Sequence, residues 1–187
     1  MKIVLIVISA CFFANAPSCR QAAPAHTFFP LGAGNYWIYR DSLFEDGHLS
    51  TVTIDTLRVD SEITWKGRKT FMLSDNRQWY ESGDTVYQLG FQRTGVQFPT
   101  AIMMPSDTPS TFNFIFGGDV VMTATVTKIV CSDSKWNASS CYKISDNCGA
   151  YLVEAYGIGI IRQLLKPCSS AHQQYTTRTL MDFHLGE

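Results

Sequence analysis

Charge is the first thing in short supply. Lys, Arg, Asp and Glu make up 17% of the 187 residues and nearly cancel, leaving a net charge of −1. The 15 Lys and Arg are scattered along the chain, with Arg68-Lys69 the one adjacent pair. No basic stripe exists to hold a nucleic-acid backbone, and no basic amphipathic helix to lie on an anionic membrane. Helical periodicity is missing as well: nowhere do apolar residues recur at i, i+3, i+4 and i+7 over a helical length. The spacings that mark chemistry are absent too. There is no C-x-x-C, H-x-x-x-H or calcium-loop pattern for a metal, and no G-x-S-x-G for a nucleophile. Gly157-x-Gly159 lacks the third glycine and the following helix of a nucleotide loop, and reads as a turn. The expectation is a protein that is not an enzyme and holds neither metal nor cofactor.

One long apolar run is present, and it lies at the start. Lys2 precedes the unbroken Ile3–Ile8 stretch, which small and aromatic residues extend to Ala16. This is the pattern of a secretory signal, too short to span a bilayer as a mature helix. Three exits from it compete. Ile8-Ser9-Ala10-Cys11 has the form of a lipobox with little apolar length before it. Ala16-Pro17-Ser18-Cys19 has better length and poorer form, and plain cleavage after Ser18 or Ala25 is the third route. Cysteine parity favours Cys19 as the lipidated residue. If Cys11 leaves with the leader, Cys131, Cys141, Cys148 and Cys168 remain, and exported domains prefer an even number. Residues 1–18 are then a signal peptide, 19–27 a tether and 28–187 a single domain. That domain would sit in the cell envelope, touching a membrane only through its lipid.

Aromatic residues are plentiful at 13%, and Thr is abundant in the middle and end, which favours pleated sheet. Phe28–Leu31 leads into Gly32-Ala33-Gly34-Asn35, and a strand then opens with Tyr36, Trp37 and Tyr39. Further strands are expected over about 50–63, 69–73, 78–82, 85–92, 120–131, 141–144, 151–155, 160–166 and 175–185. In the 50–63 stretch Val52 and Ile54 share one face, while Leu57 and Val59 share the other. That pattern predicts a bulge or a core crossing near Asp55-Thr56. Residues 93–118 break the rhythm with three prolines. They are expected to form a loop packed over one end of the sheet, with a short strand at Phe112–Phe116. The sharper alternative is a cover for an apolar ligand cleft, using Met103, Met104, Phe112, Phe114 and Phe116. About ten short strands imply an all-β domain, an antiparallel meander curved into a barrel-like or sandwich shape. Its core should contain Trp37, Tyr87, Leu89, Phe91, Met122, Val126, Met181 and Phe183.

Two stretches carry a resemblance. Phe29-Pro30-Leu31-x-x-Gly34-Asn35-x-Trp37-x-Tyr39 and Tyr156-Gly157-Ile158-Gly159-Ile160-Ile161-Arg162 are similar to paired motifs of uncharacterised secreted proteins and lipoproteins of bacteria. The resemblance implies an envelope location, a mostly β fold and a final hairpin after the second motif. It carries no catalytic residue across.

Few side chains compete for a functional role. His26 lies in the tether, His48 in a turn and His172 in a loop. His184 falls on the last strand, where alternation would put it on one face with Asp182 and Arg178. A base beside a carboxylate needs a nucleophile as well, so a solvated outer face is the simpler expectation. Trp65 and Trp136 sit at turns and could stack on sugars. Two functions follow: an envelope domain that binds an apolar small molecule or an envelope protein, or a surface carbohydrate-binding or adhesion module.

The four remaining cysteines allow three pairings. A hairpin centred on Ile158 would put Ala155 opposite Ile161, Tyr151 opposite Leu165 and Cys148 opposite Cys168. A second centred on Trp136 would put Cys131 opposite Cys141 and Lys128 opposite Ile144. Directly opposed residues lie within disulfide reach, so Cys131–Cys141 and Cys148–Cys168 are expected.

Overall fold

Twelve antiparallel strands make up the computed structural model, which describes residues 29–91, 97–103, 105–116, 120–132, 134–168 and 174–186. The leader, Cys11, Cys19, His26, Met104 and His172 lie outside the described residues, as do the side chains of Phe91, Phe114, Phe116 and Met122. The strands are β1 (Tyr36–Glu45), β2 (His48–Trp65), β3 (Arg68–Leu73), β4 (Gln78–Ser82), β5 (Thr85–Phe91) and β6 (Gln97–Met103). They continue as β7 (Ser110–Phe116), β8 (Val120–Ile129), β9 (Cys141–Asp146), β10 (Tyr151–Ala155), β11 (Gly159–Leu165) and β12 (Gln174–His184). Among the described residues the only helical turn is Ser134–Trp136.

The sheet order is β6-β5-β4-β3-β2-β1-β12-β11-β10-β9-β8-β7. Strands consecutive in the chain are neighbours in the sheet, except that β6 and β7 part to its two edges and β12 returns to lie beside β1. The sheet curls without closing into a barrel, because no ladder joins its end strands β6 and β7. Residues 93–118 supply these two edge strands: the short strand expected at Phe112–Phe116 lies within β7, whereas β6 stands where a packed loop was expected. Pro99 sits in β6, an edge position at which its missing N–H costs no ladder bond. The β1–β2 and β2–β3 hairpins turn on Asp46-Gly47 and Lys66-Gly67. All four residues have positive φ, the geometry of a two-residue turn matching strand twist.

β2 changes partner along its length. Its first half pairs with β1, and its second half pairs with β3 from Val59 onward. The register slips at Ser50 and at Asp60, not at Asp55-Thr56 as expected. Between those points the strand alternates regularly, so Leu57 and Val59 enter the core while Val52 and Ile54 face out.

One hydrophobic core fills the concave side of the curl, with Trp37, Trp79, Tyr39, Phe29, Leu73 and Met103 among its largest fully buried side chains. Trp37, Leu89 and Val126 are buried as expected. Tyr87 is only half-buried, stacked on Tyr80 at 5.0 Å, while Val86 on the other face of β5 is fully buried. Met181 is exposed and Leu180 buried instead. The β1–β12 register explains this: Ile38 pairs with Asp182 and Tyr39 with Leu180, leaving Met181 looped out as the bulge residue. Phe183, beyond the bulge, is half-buried against the core.

Both expected disulfides are present, with Cα–Cα distances of 5.2 Å for Cys131–Cys141 and 4.8 Å for Cys148–Cys168. The registers beneath them differ from simple hairpins. Lys128 pairs with Tyr142 instead of Ile144, and Ala155 with Gly159 instead of Ile161. A slip at Ile161 moves Tyr151 opposite Leu164.

Candidate functional site

The entry segment and the β10–β11 turn meet in the core. The Trp37 indole Nε1 donates to the Ile158 carbonyl at 2.6 Å, and the Phe29 ring lies 4.5 Å from that of Trp37 and 5.2 Å from Trp79. Asn35 fastens both ends: its Nδ2 donates to the Pro30 carbonyl at 2.7 Å, and its Oδ1 accepts from Gly186 N–H at 2.6 Å. These contacts hold the architecture in place and leave no room for chemistry.

A polar line runs from the sheet's open end toward this core. Arg178 on β12 forks onto Asp41 of β1, with Nε to Oδ1 at 2.8 Å and Nη2 to Oδ2 at 2.6 Å, and reaches Asp55 of β2 at 2.8 Å. Its guanidinium lies 4.9 Å from the Tyr39 ring centroid. Hydrogen bonding to Asp41 strengthens its hold on its proton. Deeper in, the Tyr39 hydroxyl and both oxygens of Glu154 are buried without a partner. Burial holds the Tyr39 phenol well above its ordinary pKa, and burial alone pushes Glu154 far above the carboxylate range. Burial therefore favours the neutral acid form of Glu154, which can donate as well as accept. Nothing in the pattern around Val153-Glu154-Ala155 set this residue apart. β10 runs in unbroken register with β9, which puts Glu154 on the same strand face as Leu152, a residue packed on the core.

A second carboxyl, Glu81 on β4, accepts the Phe29 N–H and is raised by burial to about 7. Sequence reasoning missed it as well.

The histidine site does not assemble around Arg178. The bulge at Met181 flips the strand, so Asp182 and His184 face outward opposite Ile38 and Tyr36, whereas Arg178 faces inward opposite Asp41. The His184 ring stacks on Tyr36, and Asp182 accepts from the Phe183 N–H. Among the described residues no three His, Cys, Asp or Glu side chains converge on a metal-sized point. Nor is any helix there long and apolar enough to cross a membrane.

The expected contact residues are dispersed. Met103 is fully buried in the core and Phe112 is half-buried against it. Trp136 packs on Phe183 at 5.6 Å, with the Lys135 ammonium 4.3 Å from its ring centroid. Trp65, half-buried at the end of β2, stacks on Tyr80 at 6.1 Å with Lys66 over its ring at 4.8 Å. A groove of about 520 Å³ beside the Cys148–Cys168 bridge is lined by Leu164, Lys166, Pro167 and Tyr175.

The most unusual surface is the first half of β2. Every residue from His48 to Thr56 is exposed, and Leu49, Val52 and Ile54 keep 53%, 42% and 60% of their surface in water. One edge of this stretch pairs with β1, while β3 joins the other edge only from Val59 onward. Ser74 closes the junction. Its hydroxyl accepts the Arg58 N–H at 3.1 Å and donates to the Thr56 carbonyl at 3.3 Å, and its N–H donates to the Arg58 carbonyl at 2.8 Å. On the β1 side, Val59 bonds with Gly34 and Asn35. Even-numbered residues here therefore turn their backbone groups away from β1. By strict alternation the N–H and C=O of Val52 and Ile54 point to the other edge, which no strand among the described residues covers. This stretch carries no Pro or Lys, the residues that usually guard an exposed edge.

Comparison of the chain with protein-family models, curated proteins and solved structures found no match in any of the three.

Proposed function

We propose that this chain is a non-enzymatic β domain of the bacterial cell envelope, tethered through a lipidated Cys19, that works by binding a partner protein along the open edge of β2. The observation that carries the reading is that edge: unladdered backbone groups at Val52 and Ile54 beside exposed apolar side chains. Strand addition uses these parts, with main-chain bonds for affinity and alternate side chains for specificity. Two disulfides are compatible with an exported protein. A photo-crosslinking residue placed at Ile54 in cells should give one discrete protein adduct, and the same residue at Val130, itself 87% exposed, should give none. Identical adducts at both sites, or no adduct at Ile54, would refute the reading.

A second reading, an apolar ligand with a polar head inside the curl, draws on the unpartnered Tyr39 hydroxyl and Glu154 carboxyl. Native mass spectrometry of the purified protein decides it: extra mass lost in Glu154→Gln supports a ligand, and the bare chain mass removes it. The sugar-stacking reading draws less support, since both indole rings are engaged by neighbouring side chains.

A further inference from the structure

We infer that the occupant of the β2 edge is a second copy of this chain, paired antiparallel to the first about a twofold axis through Thr53. This rests on the reading of that edge as a binding edge, and it adds the partner and the register.

The edge is self-complementary in one register. Between two antiparallel strands, the bonded pairs are those whose backbone groups both face the gap, here Val52 and Ile54. An axis through Thr53 sets Val52 against Ile54 of the second copy and Ile54 against its Val52, so both residues of both chains are used. The two apolar side chains then meet across the joint twice, a favoured cross-strand pair. On the opposite face Thr53 meets Thr53, and Thr51 meets Asp55. No like charges are opposed, and each Asp55 keeps its own Arg178 at 2.8 Å.

The neighbouring registers are poorer. An axis through Ile54 sets Val52 against Thr56, whose carbonyl is already engaged by Ser74. An axis through Val52 sets Ile54 against Ser50, the residue at which the β1–β2 register slips. The joint would convert two curled sheets into one continuous sheet and remove the exposed edge from each, the closed twofold arrangement most homodimers adopt.

The test is analytical ultracentrifugation of the purified protein together with a Thr53→Cys variant under mild oxidation. The expected result is a mass twice that of the monomer, and a disulfide joining the two copies of the Thr53→Cys variant at the substituted position, because non-bonded opposed residues lie about 4.5 Å apart at Cα. Ile54→Pro should abolish both. Its N–H points away from β1, so the fold tolerates the proline, and an unchanged circular dichroism spectrum checks that. Val130→Cys, equally available to solvent, should give no crosslink. A dimer that survives Ile54→Pro and does not crosslink at position 53 would overturn the interface. A monomer whose Val52 and Ile54 amides exchange like open chain would overturn the second copy while leaving the edge free for a different protein. A monomer in which those amides are protected would overturn both readings, because the chain would then cover its own edge.

Discussion

At the scale of single residues, the tightest constraint is the contact between Phe29 and Gly159. A Cβ on Gly159 would lie 2.4 Å from Phe29 Cε2, and its φ of 103° already excludes other residues. Gly159→Ala should therefore cost about 3 kcal/mol or more in urea unfolding. In a Phe29→Ala background the same change should cost clearly less, because the clash is gone and only the backbone strain remains. Equal costs in the two backgrounds would show that the ring is not what confines this glycine. Trp37→Ala should lose about 3–5 kcal/mol, since a fully buried indole and its bond to Ile158 vanish together. Trp37 was legible as core from its place among strand aromatics. Met181 was not, because a one-residue bulge reverses every later side chain and leaves no mark in an otherwise alternating strand.

At the scale of elements, what could be read was type, and what could not was register. Periodicity of two and Gly-bearing turns located nearly every strand from β1 to β5 and from β8 to β12. The strand expected at Phe112–Phe116 falls within β7, but β6 was missed because prolines signal loops unless the strand happens to lie at an edge, which only topology reveals. The disulfides survived wrong registers since Cys131 and Cys148 lie just beyond their strands, where the chain bends enough to meet its partner. The three-strand ribbon β2-β1-β12 is pinned by Arg178 and Asp41, whose side chains keep only 19% and 18% of their surface exposed. Removing one partner strands a mostly buried charge, so Arg178→Met should cost about 3 kcal/mol. Arg178→Met with Asp41→Leu should recover most of that loss, as measured by denaturant midpoints. A double variant no better than the single would show that the pair contributes packing and not charge balance.

At the scale of the whole molecule, two carboxyls with raised pKa values set the response to pH. Glu81 titrates near 7 when folded and burial shifts Glu154 in the same direction, whereas both ionise near 4.5 once unfolded. The folded state thus holds more protons above pH 4.5, so stability is fullest below that value and declines as pH rises. The share of the decline that belongs to Glu81 should fall between about 5 and 7 and level off above that. Thermal melts at about pH 5, 7 and 9 should show this order. Glu81→Gln should flatten the first interval; a midpoint that rises between pH about 5 and 7 would contradict the assignment. The sheet order bears on how such a chain reaches its folded state. β1 lies between β2 and β12, and its Asp41 must find Arg178 at a separation of 137 positions. A polypeptide crossing a membrane amino end first would present β1 with one side bare until almost everything else had emerged. Contacts this distant in sequence close slowly. For a chain so exported, completion of the sheet would follow translocation of β12, and the half-made sheet would need protection from its neighbours throughout that interval.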